Sequence, residues 1–219
     1  MYIGHFGLAL AAKRAAPEVS LGTLFTATQL VDLIWPVFLI AGIEQVSIEP
    51  GITVVTPLNF TYYPFSHSLL AFTVWATLLA GAFMLIRRDQ RGALVLWLLV
   101  VSHWALDFIT HIPDLPLYPG SDTHLGLGLW NSLAGTLVLE GLIFIMGVAI
   151  YLKITRAKDR IGSIGLWALV LFLAVTYIMN IFGTPPPDDP VVIGAVTLSM
   201  LLLLAWGWWV DRHRTAGLV

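Results

Sequence analysis

The 219-residue chain contains no cysteine. Disulfides, thiolate metal sites and cysteine nucleophiles are therefore excluded, and any metal must be held by imidazole, carboxylate, amide or backbone oxygen. Charge is nearly as scarce: Asp, Glu, Lys and Arg make up 11% of the residues, with a formal net charge of −2. A soluble domain of this length needs more charge to solvate its surface. The 11 Lys and Arg residues are spread thinly, so there is no basic patch for nucleic acid and no nucleic-acid partner is expected. A cleavable leader is not expected either, because Lys13 and Arg14 follow a short apolar run instead of preceding a longer one.

What the chain has in abundance is apolar surface, at 58% hydrophobic residues. The fold this predicts is an all-α, polytopic membrane helical bundle with membrane lipids as its surroundings. We read residues 1–219 as one integral membrane domain with about six transmembrane helices and a short N-terminal helix. Residues 1–12 are apolar apart from His5. About twelve residues make only about 18 Å of helix, too short for a ~30 Å core, so this segment lies on the surface or dips into the bundle. The expected spans are 19–43, 66–86, 92–110, 130–152, 164–182 and 191–210. The first carries Asp32 near its middle and is expected to kink at Pro36, and the fourth carries Glu140. The loop 44–65 allows a hairpin or an interfacial segment, and the proline-rich loop 111–124 cannot be helical throughout. Residues 1–150 hold every candidate site residue, whereas the two spans within 160–214 read as lipid-facing or packing surface.

With six spans, all 11 Lys and Arg residues fall on one side, in the groups 13–14, 87–91, 153–160 and 212–214. The positive-inside rule then places both termini in the cytoplasm of a multi-pass inner (plasma) membrane protein. Trp130 fits an aromatic belt on the outer side, and Trp208 and Trp209 fit one on the inner side.

The chemistry concentrates in the stretch from Val101 to His111, where His103, Asp107 and His111 recur every four residues. On a helix that spacing stacks three side chains on one face, each roughly 6 Å along the axis from the next. Imidazole and carboxylate are the ligands of zinc and similar divalent metals, and intramembrane ionisable groups default to function. The bland reading is a polar stripe lining a wet cavity or a helix contact. Counting from the span ends, His67, His103 and Asp107 lie within roughly 10 Å of the outer surface, and Asp32 and Glu140 roughly 15 Å deep. The metal ligands we expect are His5, Asp32, His67, His103, Asp107 and His111. Asp32 and Glu140 are the expected catalytic carboxylates, their pKa raised by apolar surroundings. Ser66 and Ser68 are placed to orient His67. Asp114 reads as a turn residue, Asp122 and His124 as solvated, and His213 as an interface residue.

The elements Tyr63-Pro-Phe-Ser-His67-Ser-Leu69, Ser102-His103-Trp-Ala-Leu-Asp107, His111-x-Pro113-Asp114-x-Pro116 and Gly126-Leu-Gly-Leu-Trp130-Asn131, with Glu140 downstream, resemble the YdjM-like group of bacterial inner-membrane proteins. His5 and Asp32 match the early His and first-span Asp of that pattern, and the resemblance covers roughly residues 1–150. It implies a metal-dependent hydrolase. A more distant similarity is to the zinc-dependent phospholipase C and P1 nuclease group, which gathers His, Asp and a His-x3-Asp helix around zinc to cleave phosphate esters. The chain departs from that group in lacking a second His-x3-Glu helix, so a full three-zinc site is not expected. The expected activity is hydrolysis of a lipid or lipid-linked phosphate ester at the non-cytoplasmic side. The competing class is non-enzymatic: a small integral subunit of a larger membrane complex, or an ion or metal transporter.

Overall fold

Within a bilayer the backbone must satisfy its own hydrogen bonds, so long apolar runs fold as helices. The computed structural model, which describes residues 1–217, follows that rule. Ten α-helices are formed among the described residues: α1 (Ile3–Ala12), α2 (Leu21–Thr28), α3 (Leu30–Ile40), α4 (Pro64–His67), α5 (Leu69–Arg87), α6 (Gln90–Thr110), α7 (Leu133–Ile154), α8 (Leu166–Phe182), α9 (Pro190–Leu198) and α10 (Leu201–Arg212). A π-helical turn, Ile161–Gly165, leads into α8. Five stretches are long and apolar enough to cross a membrane: α5, α6, α7, 161–182 and 190–212. The α2–α3 pair makes a sixth if its 55° bend is counted as one broken span. Three small antiparallel pairs complete the chain: β1 (Gln45–Ile48) with β2 (Leu58–Tyr62), β3 (Leu115–Pro116) with β4 (His124–Leu125), and β5 (Thr155–Ala157) with β6 (Arg214–Ala216).

The break in the first span falls at Gln29, not at Pro36, which sits inside α3. The cause is local. The hydroxyls of Thr26 and Thr28 donate back to carbonyls of their own helix at Gly22 and Leu24, a pattern that bends helices. The Thr28 carbonyl, orphaned at the end of α2, is taken by a side chain from α6.

The short helix α1 is not a surface element. It runs through the middle of the bundle against α7, α2 and α6, with Phe6 and Leu10 buried among Leu24, Phe25, Leu96 and Phe144. The Phe6 and Phe25 rings meet edge to face at 5.0 Å. Glycine makes the α1–α7 crossing possible: a Cβ on Gly7 would sit 2.6 Å from Phe144 Cα, and one on Gly147 would collide with the Gly7 carbonyl. Small residues let helix backbones touch where lipid offers no hydrophobic drive.

The basic helix ends gather at one end of the bundle. Lys13 Nζ pairs with Asp211 at 2.7 Å, Tyr151 Oη donates to the same carboxylate at 2.7 Å, and the Leu21 amide adds a third bond. Arg214 donates to Thr155 and Gly162, which ties the β5–β6 clasp down. Removing one partner of such a buried pair strands the other. We therefore expect Asp211→Ala to lower unfolding stability by about 3–5 kcal/mol, read as a lower melting temperature in detergent.

Candidate metal centre

Three breaks in regular structure deliver the site. The gap at Gln29 turns Asp32 inward from the first turn of α3, where the helix N-terminus favours a carboxylate. Ser68 caps α5 through a bond from the Ala71 amide at 3.1 Å, which leaves His67 at the end of α4 facing the bundle. α6 supplies His103 and Asp107 from its buried face and His111 from its C-cap. α1 brings His5 across, its ring stacked on that of His103 with centroids 3.6 Å apart.

Hydrogen-bond partners fix the imidazole tautomers, because a carbonyl or carboxylate can only accept. His103 Nδ1 donates to the Thr28 carbonyl. His111 Nδ1 donates to Asp114 at 2.9 Å, an oxygen that also takes the Tyr63 hydroxyl at 2.7 Å. Burial, then the neighbouring Asp114 charge, pushes the Tyr63 phenol well above its ordinary range, so it stays a donor. The third case runs through a relay. Glu44, buried, accepts the Phe65 and Ser66 amides and the Ser66 hydroxyl at 2.6 Å. Ser66 therefore gives its proton to Glu44 and accepts one from His67 Nδ1 at 2.7 Å.

All three rings thus present an Nε2 lone pair to carboxylate oxygens. His103 Nε2 lies 3.0 Å from Asp107 Oδ2 and 3.6 Å from Asp32 Oδ2. His67 Nε2 is 3.3 Å from Asp32 Oδ1, and His111 Nε2 is 4.0 Å from Asp107 Oδ2. His5 Nε2 is 3.1 Å from Asp107 Oδ1, while its buried Nδ1 has no partner among the described residues. The Met1 amino group also donates to Asp107 Oδ1, at 2.7 Å. Lone pairs facing lone pairs at such distances need a cation between them, either a proton or a metal ion. Two donor sets, His5–His103–Asp107 and Asp32–His67–His103, each keep their ligand atoms within 4.8 Å of one another. Both use His103, and its one free nitrogen can serve a single ion.

Each of the six expected ligand residues is therefore part of the cluster. Glu140 lies beside it on the same cavity, but its Oε2 accepts the amides of Tyr2 and Gly4 at 2.8 and 3.2 Å, capping α1 from α7. Three details differ from expectation. Trp130 is buried against His111 at 4.2 Å and is not a belt residue. Asp114 orients His111 as well as turning its loop. The helices of the last third help wall the site: a cavity of about 610 Å³ runs from Asp32, His67 and Asp107 to Phe172, Leu203 and Trp206. Glu44 escaped the sequence reading. Its one signal was an acid at the end of a span with no Lys or Arg nearby to pair with it.

The family model described as YdjM inner membrane protein matches residues 3–184. The chain belongs to the YdjM inner membrane protein family. That membership covers the whole ligand cluster, Glu44 and Glu140. It makes the chain an inner-membrane protein, in keeping with its apolar helices. No curated protein and no solved structure matches the chain, and the distant similarity to the phospholipase C and P1 nuclease group gains no support from either comparison.

Proposed function

We propose that this YdjM-family protein is a membrane-embedded, metal-dependent hydrolase acting on a lipid or lipid-linked phosphate ester at the non-cytoplasmic side. The observation that carries the reading is the convergence of Nε2 atoms with locked tautomers on Asp32 and Asp107. Ring nitrogens oriented by a carbonyl or carboxylate on the far side are the usual second shell of a metal site. With nitrogen and carboxylate donors and no sulfur, a divalent ion such as zinc fits the set. His5, His103 and Asp107 would hold it, with His67, His111 and Asp32 around it. Such an ion supplies a more acidic water and a polarised phosphoryl oxygen.

The chain's own groups do the rest. Asp32 is the most open member of the cluster, its side chain 22% exposed against 4% or less for the His67, His103 and Asp107 side chains. It takes the proton of the attacking water as the new P–O bond forms, and returns it to the leaving oxygen as the ester bond breaks. His67, held by Ser66 and Glu44, keeps the Asp32 carboxylate turned toward the cavity.

The test is a panel of lipid phosphates incubated with metal-loaded protein. Asp32→Asn is expected to lower kcat by about 10²–10⁴ with metal content unchanged. A panel left wholly uncleaved by wild-type protein would contradict the proposal. Ser66→Ala cuts the Glu44–Ser66–His67 relay that holds Asp32 in place and is expected to lower kcat by about 10–100-fold with metal content unchanged.

A further inference from the structure

The cavity has two arms that the chemistry at its centre does not explain. One runs toward the basic end between α8 and the α9–α10 pair, past Phe172, Leu203 and Trp206. From Asn180 to Phe172 it follows eight residues of α8, or about 12 Å. Beyond Asn180 and Thr176 its walls are mainly apolar, and it reaches the side of the bundle: Phe172 and Leu202, which line it, are 45% and 73% exposed to the surroundings. α9 packs on α3 and α10 on α2, so α8 and the α9–α10 pair touch each other in few places. α9 and α10 are themselves separated at Ser199–Met200, where the backbone bonds tighten to three-residue steps.

The other arm is a vestibule of about 520 Å³ at the opposite end, between the 50–58 loop, the end of α8 and α9. It shares Thr56, Thr176, Asn180 and Thr197 with the first cavity, so the two are continuous. Its polar lining is threonine, asparagine and backbone, with no Asp, Glu, Lys or Arg among the described residues. A charged group placed there would meet no counter-charge, whereas hydroxyls would meet donors and acceptors.

We propose that the cavity takes an amphiphile from the bilayer side, its hydrocarbon chain between α8 and the α9–α10 pair and an uncharged, hydroxyl-bearing headgroup in the vestibule. This rests on the reading of the His–Asp cluster as a hydrolytic centre, since Asp32, His67 and Asp107 line the same cavity and would face the phosphodiester of such a lipid. Leu203 and Thr176 are the specificity-determining wall, one from each side of the hydrocarbon arm.

The experiment is photolabelling of the full-length, metal-loaded protein in nanodiscs of zwitterionic lipid. The probe is phosphatidylglycerol with a diazirine in one acyl chain. Label is expected on Phe172, Thr176 and Leu203, displaced by unlabelled phosphatidylglycerol at least tenfold more effectively than by phosphatidylserine. Leu203→Trp and, independently, Thr176→Phe fill the arm and are expected to cut that label at least fivefold, while Leu171→Trp on the outer face leaves it unchanged. Label confined to outer residues such as Leu171 and Ile178, equal displacement by phosphatidylserine, or indifference to both filling variants overturns the proposal. Two results separate it from the hydrolase reading. The expected labelling with no cleavage of any lipid phosphate supports the binding arm and removes the hydrolase. Cleavage of bis-p-nitrophenyl phosphate by a protein that shows no inward label removes the binding arm and keeps the hydrolase.

Discussion

His103→Ala empties the metal site, with stoichiometric metal falling below about a tenth and hydrolysis falling by about 10³ or more. The expectation follows from position. His103 is common to both donor sets, and its Nδ1 is committed to the Thr28 carbonyl, so no other nitrogen in the cluster can stand in for its Nε2. Losing an outer partner of a metal ligand costs about 10–100-fold in affinity, and losing the ligand itself exceeds that. The variant also removes the ring on which His5 is stacked and the imidazole 3.0 Å from Asp107 Oδ2. Metal analysis of wild type and variant purified side by side checks it, with helical circular dichroism as the control for folding. Full metal retention in the variant would remove His103 from the ligand set.

The second large effect is steric. Gly147→Leu cannot be accommodated where α7 crosses α1, because its Cβ alone collides with the Gly7 carbonyl. Overpacking usually costs about 1–3 kcal/mol, and here both contacting surfaces are backbone, so about 3 kcal/mol or more is expected. The functional consequence is larger than the stability loss. α1 must shift away from α7, and with it goes His5, two residues before the crossing at Gly7. Loss of metal together with a lowered melting temperature is the expected pair of readings. Gly141→Leu is the control, since a Cβ there has nothing within 4 Å. Equal behaviour of the two variants would mean that the α1–α7 crossing does not govern the site.

Much of this was legible in the residues. The span count followed from apolar runs, and the four-residue spacing of His103, Asp107 and His111 placed a polar face on one helix. Distant His5, Asp32 and His67 joined it because ionisable groups in apolar segments need partners and find each other. What could not be read was backbone detail. Pro36 looked like the kink, yet a helix in a tight bundle carries a proline where neighbours support it, and the bend went to Gln29, where Thr28 hands its carbonyl to His103. Glu44 looked like a loop acid because the relay to His67 depends on how the 44–65 segment folds back, which no local pattern encodes. Glu140 reads from the sequence as a buried carboxylate, but that it caps the amides of Tyr2 and Gly4 depends on where α1 lies against α7, which no local pattern encodes. The apolar run of α8 to α10 carries no period that separates a cavity wall from a lipid face.

X-ray absorption at the zinc edge, on protein reconstituted with one equivalent of zinc, tests the central claim most directly. A first shell of nitrogen and oxygen at about 2.0–2.1 Å, with imidazole outer-shell scattering that fades in His103→Ala, is the predicted result. A zinc surrounded only by water oxygens, or protein that takes up no zinc at all, would contradict it.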